Sequence, residues 1–178
     1  MGNHRLLLWS ALVALAACGV GTVGCGYKLV RYGDAAERKQ IALHTLDNAS
    51  TEPGVELLVS EALRREVLQR HGLRIATRDD AADYVLRGRV REVSVRTTTQ
   101  SSAVLALEHN VTLELDLALE SPDGQRIALP HKALVESETF LASADIEALR
   151  KNRREALRRV AEVLAARIHD RLDAEIMR

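Results

Sequence analysis

Asn110-Val111-Thr112-Leu113-Glu114-Leu115-Asp116-Leu117-Ala118-Leu119-Glu120 is the stretch that decides the fold. Val111, Leu113, Leu115, Leu117 and Leu119 take every second position, with Thr112, Glu114, Asp116, Ala118 and Glu120 between them. Side chains alternate across a strand, so this pattern predicts a strand with one face in a core and the other in water. Ser121-Pro122-Asp123-Gly124 follows, with Pro at the second turn position and Gly at the fourth, and predicts a type I hairpin turn. The next strand is expected over 127–139, with Pro130 marking an edge position or a bulge because it has no N–H for a ladder. Upstream, 84–96 predicts the other neighbour. Leu86, Gly88 and Val90 hold one phase and Val93 and Val95 the other, so a bulge is expected where the phase slips. The polar, uncharged Thr97-Thr98-Thr99-Gln100-Ser101-Ser102 fits a hairpin tip or two exposed strand ends.

A sheet with one apolar face needs a cover, and the C-terminal segment supplies it. Ile146, Leu149, Leu157, Val160, Leu164, Ile168, Leu172 and Ile176 share a helical face that only Arg153 interrupts. Burying such aliphatic side chains contributes roughly 1.5 to 3 kcal/mol each before conformational entropy is subtracted. Asn152 with Glu155 three residues later forms a capping box and predicts that the main helix starts there after a short turn. A second helix is expected over 55–70, with Val55, Leu58, Val59, Ala62, Leu63 and Val67 on one face and Gly72 ending it. Segments 40–46 and 73–76 predict short strands, and Arg78-Asp79-Asp80-Ala81 a turn. The expected fold is α+β, a two-layer sandwich in which an antiparallel sheet of about four strands is covered by two helices, in the order strand, helix, strands, helix.

The N-terminus has another character. His4-Arg5, an uncharged apolar run over 6–23 and small residues before a cysteine have the three parts of a secretory signal. The run has 18 residues, near the lower limit for a spanning helix, and Gly19, Gly21, Thr22 and Gly24 weaken its distal end. Removing the first 24 of 178 residues leaves 154, enough for one domain. The organisation expected is therefore a cleaved signal over 1–24, a lipidated N-terminus and polar tether over 25–39, and a folded domain over 40–178. Arg5 is the only charge before Cys25, so the remainder carries 24 basic and 25 acidic residues and a net charge of −1. That balance excludes a global basic field for nucleic acid, and the 3% aromatic content argues against a base-stacking or aromatic-lined cofactor site.

Leu15-Ala16-Ala17-Cys18 and Thr22-Val23-Gly24-Cys25 both resemble the box of aliphatic and small residues at which bacterial lipoproteins are cleaved and acylated. The first has the more usual Leu. Cys25-Gly26-Tyr27-Lys28-Leu29 resembles the opening of the LPS-assembly lipoproteins called LptE, which favours Cys25, with Cys18 the runner-up. Asn48-Ala49-Ser50 with Pro53-Gly54, Ala82-Asp83-Tyr84-Val85-Leu86-Arg87-Gly88 and the order of elements resemble the same family. The resemblance implies a non-enzymatic protein whose cysteine carries a diacylglycerol and an N-acyl chain, with no other cofactor. Such a protein is anchored on the periplasmic side of the outer membrane, sits within the lumen of the barrel LptD, assists its assembly and takes part in carrying lipopolysaccharide to the outer leaflet. Gly26, not Asp, after the cysteine agrees with an outer-membrane address in the lipoproteins it resembles. Another envelope lipoprotein adaptor, an auxiliary subunit of a lipid transporter or an activator of a cell-wall synthase, shares this plan and remains the alternative.

Arg150, Lys151, Arg153, Arg154, Arg158 and Arg159 place six cations in ten residues, against Glu155 alone. At a helix start such cations oppose the dipole, and a bound phosphate would reverse the balance. Arg150, Lys151, Arg153 and Arg154 are therefore candidates for contact with lipopolysaccharide phosphates or with acidic groups of a partner. The opposing account is a solvated face, because Glu147 with Lys151, Glu155 with Arg159 and Arg158 with Glu162 are each four apart. The resemblance implies lipopolysaccharide-binding basic residues before the last helix, which Lys151 matches loosely, and in the hairpin tip, where Ser101 and Ser102 stand instead.

Catalytic signatures are missing from the sequence. His44, His71, His109, His131 and His169 lack metal-ligand spacing and read as surface or turn residues, and Cys25 is the one cysteine beyond the signal. No phosphate-binding loop, nucleophile elbow or dinucleotide fingerprint occurs. Asp79, Asp80 and Asp83 are expected to solvate a turn.

Overall fold

The computed structural model describes residues 38–98 and 108–177. Among these residues seven strands and two helices follow in the order β1 (Lys39–Leu43), β2 (Asp47–Asn48), α1 (Val55–Gln69), β3 (Leu73–Ile75), β4 (Tyr84–Thr98), β5 (Glu108–Glu120), β6 (Arg126–Ala128), β7 (Val135–Leu141) and α2 (Ile146–Ile176). Single 3₁₀ turns at Asp79–Ala81 and His131–Ala133 precede β4 and β7.

The alternation of β5 is realised as expected. Val111, Leu113, Leu115, Leu117 and Leu119 are all at most 2% exposed and form the centre of the core. Strand β4 pairs antiparallel with β5 along its length, and the register shifts between Val90 and Glu92, where the phase slip predicted a bulge. The bulge keeps Leu86, Val90 and Val93 all buried. It also puts Glu92 opposite Glu114, a like-charge pair that Arg91 offsets by an ion pair to Glu114 at 2.8 Å. The outer face of the sheet continues this way, with Arg87 paired to Glu120 and Arg89 to Asp116, both at 3.2 Å.

The sheet is a curled mixed one of seven strands, not the simple antiparallel four-strand layer expected from the sequence. Its main path runs β3-β1-β4-β5-β6, with β2 against β4 and β7 against β5. Strand β1 is parallel to both β3 and β4. The cause is α1: a helical connection carries the chain back before β3 begins, so β3 runs in the direction of β1. Segment 127–139 is not one strand either. Pro130 starts the 3₁₀ turn, and β6 and β7 pair separately with the two ends of β5. The turn before β6 forms as predicted, with the Gly124 N–H donating to the Ser121 carbonyl at 2.9 Å.

Helices α1 and α2 share this core. From α1 it takes Val55, Val59, Ala62, Leu63 and Val67; from α2 it takes Leu157, Val160, Leu164, Ile168, Leu172 and Ile176, with Ala156, Ala161 and Ala165 where the packing is closest. The expected start of α2 at Asn152 is corrected by seven residues. Asp145 caps the helix, its Oδ1 accepting from the N–H groups of Glu147 at 2.7 Å and Ala148 at 3.2 Å. Asn152 lies inside the helix, where its side chain donates to the Leu141 carbonyl at 3.0 Å. Helix α1 ends before Gly72: Arg70 is already extended, and Gly72, at φ 111°, turns the chain into β3.

Candidate functional site

Arg150, Arg153, Arg154 and Leu157 sit at i, i+3, i+4 and i+7 on α2, a spacing that puts them on one face. Opposite them, Thr51-Glu52-Pro53-Gly54 leads into α1. Together these segments line a groove of about 820 Å³, completed by Val55 and Leu58. The loop wall is held by Asn48: its Oδ1 accepts from the Ser50 N–H at 2.9 Å, and its Nδ2 donates to the Glu52 carbonyl at 2.8 Å and to Glu56 at 2.7 Å. Gly54, the N-cap of α1, offers no side-chain acceptor to the N–H groups of the first turn. The groove thus combines aliphatic residues, Val55, Leu58 and Leu157, with three guanidinium groups and an uncapped helix start.

The cations differ in how far they are neutralised. Arg150 pairs with Glu147 at 3.0 Å, and Arg153 reaches across the groove to Glu52. Arg154 is exposed and makes no ion pair among the described residues. Arg158 is bound to Glu155 at 2.5 Å and Glu162 at 2.6 Å, and Arg159 to Glu138 at 2.8 Å. The hydrogen bond from Arg158 holds the Glu155 carboxyl below the usual range, with the charges of Arg159 and Lys151 acting the same way. Arg158 and Arg159 are therefore the paired, solvated part of the run, while Arg150, Arg153 and Arg154 line the groove. Lys151 is exposed on α2 and does not line the groove.

Two electrostatic expectations change. With α2 starting at Ile146, the cations occupy its second to fourth turns, so the argument from cations opposing the dipole at a helix start no longer applies to them. The uncapped start that does line the groove belongs to α1, and Glu52, the acidic partner of Arg153, lies 101 residues away in the chain. Neither was foreseen. The Pro53-Gly54 pair before a helix, with no Ser, Thr, Asp or Asn at the cap, was the one sequence signal for the first.

The remaining candidates fall elsewhere. Cys18, Cys25, the signal segment, residues 25–37 of the tether, and Ser101 and Ser102 of the hairpin tip lie outside the described residues. The three turn aspartates are separately paired: Asp79 with His44 at 2.8 Å and Arg87 at 2.8 Å, Asp80 with Arg78 at 3.0 Å, and Asp83 with Lys39 at 3.7 Å. His169, read from the sequence as a surface or turn residue, is 4% exposed and belongs to the interior. Among the described residues, no helix is long and apolar enough to cross a membrane.

A family model described as LptE, lipopolysaccharide-assembly, matches residues 38–172. A search of the curated proteins finds no match. Among solved structures, lipoprotein B from Nitrosomonas europaea is 10% identical, with a TM-score of 0.50 over 79% of this chain and 85% of that one. Rare lipoprotein B from Shewanella oneidensis is 18% identical, with a TM-score of 0.47 over 78% of this chain and 97% of that one. A minor lipoprotein from Acinetobacter baumannii is 18% identical, with a TM-score of 0.46 over 78% and 92%.

Proposed function

The chain belongs to the LptE family of lipopolysaccharide-assembly proteins, and from that premise we propose that it is an outer-membrane lipoprotein that associates with the LptD barrel, assists its assembly and takes part in lipopolysaccharide transport. The observation that carries this proposal is the family match over residues 38–172, from ahead of β1 to Leu172 of α2. The protein acts by binding, not by catalysis. Its signal is removed before Cys25, and the acyl chains on that cysteine hold the domain at the periplasmic face; more than one chain makes such an anchor stable. Tethered there, the domain has only to find its barrel in two dimensions.

Within this proposal the groove between α1 and α2 receives an anionic amphiphile. Lipopolysaccharide presents phosphate groups beside acyl chains, and the groove presents Arg150, Arg153 and Arg154 beside Val55, Leu58 and Leu157. Arg154 brings a charge with no ion-pair partner among the described residues to give up, whereas Arg153 must exchange Glu52 for the ligand. The open N–H groups of α1 add favourable dipoles for a phosphate.

Two measurements test this. Co-purification of the acylated chain from detergent-solubilised outer membrane is expected to recover LptD; recovery of an inner-membrane transporter or a peptidoglycan synthase without a barrel refutes the assignment. For the groove, Arg154→Ala is expected to weaken lipopolysaccharide binding about three- to tenfold and to flatten its salt dependence, at about 1.4 kcal/mol per factor of ten. Lys151→Ala, outside the groove, is expected to change little. Unchanged affinity in the combined Arg150→Ala, Arg153→Ala and Arg154→Ala variant rejects the groove and leaves the family assignment standing.

A further inference from the structure

Among the described residues that line the groove between α1 and α2, Glu52 is the one carboxylate. Its backbone is fixed on both sides: the Ser50 hydroxyl accepts from the Glu52 N–H at 3.2 Å, and Asn48 Nδ2 donates to the Glu52 carbonyl at 2.8 Å. Ser50 is held in turn, its hydroxyl donating to Asn48 Oδ1 at 2.7 Å. This anchoring presents the Glu52 side chain to the groove, where it pairs with Arg153 of α2. The side chain is 21% exposed there, so water does not weaken the pair as it would at a free surface.

The pair is incomplete on the arginine side. Arg153 donates to Glu52 through Nη2, while its Nε is buried with no hydrogen-bond partner. A guanidinium presents its N–H groups as a fork that matches two oxygens of one acceptor, and Glu52 leaves part of that fork unused. An unpaired buried donor is costly, so an acceptor that satisfies Nε as well is favoured over the carboxylate as it lies. A phosphate group has more acceptor oxygens and more charge than a carboxylate. The neighbouring cations point the same way. Arg150 is matched by Glu147, which does not line the groove, and Arg154 makes no ion pair among the described residues. Glu52 is thus the anion that the groove supplies for itself.

Resting on the reading of this groove as a site for an anionic amphiphile, we propose that Glu52 is a built-in competitor for Arg153, holding the phosphate position until a phosphate displaces it. A ligand without phosphate gains too little from Arg153 to break the pair, so the competitor makes the groove selective for phosphorylated lipids. The test measures binding of lipopolysaccharide, and of lipopolysaccharide stripped of its phosphates, to the full acylated chain in detergent. Glu52→Gln keeps the length of the side chain and the backbone bonds of the loop while removing the charge. It is expected to tighten lipopolysaccharide binding about three- to tenfold and to leave binding of the dephosphorylated lipid unchanged. In an Arg153→Ala background the same substitution is expected to gain less than about twofold, because nothing is left to compete for. A folded Glu52→Gln chain that binds lipopolysaccharide no more tightly than wild type overturns the proposal. So does a gain of equal size in the Arg153→Ala background or with the dephosphorylated lipid, either of which would reduce Glu52 to a diffuse negative charge. If the groove is not the site, neither Glu52→Gln nor the triple arginine variant changes affinity; if the groove binds but Glu52 does not compete, the triple variant alone does.

Discussion

Replacing Gly88 with alanine is expected to damage this fold more than its size suggests. Gly88 lies on β4 directly opposite Leu117 of β5, between the buried Leu86 and Val90. A Cβ built on it would stand 2.2 Å from the Asp116 carbonyl oxygen, 2.6 Å from Leu117 Cδ2 and 2.9 Å from Leu117 Cα. Two of the three obstacles are backbone, so no rotamer change clears them, and the strands must separate by roughly 1 Å to restore ordinary contact. Overpacking of this kind costs about 1 to 3 kcal/mol, and each ladder hydrogen bond stretched in the process about 1 kcal/mol more, giving an expected loss of about 3 to 5 kcal/mol. Urea unfolding followed by circular dichroism would register this as a midpoint lowered by about 2 M at an m-value near 2 kcal/mol/M. Gly124→Ala is the control. Gly124 has φ +83° with nothing within 4 Å of a Cβ, so only backbone strain of about 1 to 2 kcal/mol is expected. A Gly88→Ala protein within about 0.5 kcal/mol of wild type, or one less affected than Gly124→Ala, would refute the close-approach argument.

Asp145→Ala removes both hydrogen bonds at the start of α2 and is expected to cost about 1 kcal/mol by the same assay, whereas Asn152→Ala should leave the helix start intact. His169 predicts a pH dependence. Its folded pKa lies below the ordinary imidazole value of 6.5, so between the two values the unfolded chain binds a proton that the folded chain does not. Its contribution to stability is full above pH 6.5, is lost as the pH falls through that window, and loses nothing more below the folded value. Unfolding midpoints measured from pH 7.5 to 5 should therefore fall more steeply for wild type than for His169→Leu; parallel curves would contradict this reading of the buried ring.

How much of this was readable from the residues depended on whether a feature was local. The alternation from Val111 to Leu119, the slip between Val90 and Val93 and the stripe on α2 from Leu157 to Ile176 are periodicities that a packed face imposes directly, and each appears where the chain indicated it; the stripe's first residue, Ile146, is instead 65% exposed, and Leu149 is only partly buried. Strand direction is different, because the pattern Ile41-Ala42-Leu43 is the same whichever way its neighbour runs; only the helix between β1 and β3 hinted at a parallel pair. The capping box at Asn152 and Glu155 was a local signal overridden from outside, since Asn152 serves the Leu141 carbonyl while Asp145 caps the helix. In the groove, the spacing of Arg150, Arg153 and Arg154 was legible, but the opposing Glu52 was not. Nothing in the order of residues around His169 says that the ring would be buried.

Strand β5 has both edges occupied, β4 along one and β6 and β7 sharing the other. Much of the hydrogen-bonding capacity that could recruit a foreign chain is therefore spent inside the molecule. Strands β3 and β6 are three residues each, and β7 has its Val135 and Leu141 carbonyls engaged by Arg167 at 3.0 Å and Asn152 at 3.0 Å from α2, while β4 beyond Val90 has no strand on its second edge among the described residues. Splitting the last strand at Pro130 thus protects against edge-to-edge polymerisation, the hazard of any long, flat border. An interrupted border bolted to a helix shields β5, with its run of buried Leu residues, from pairing with its own copies on that side.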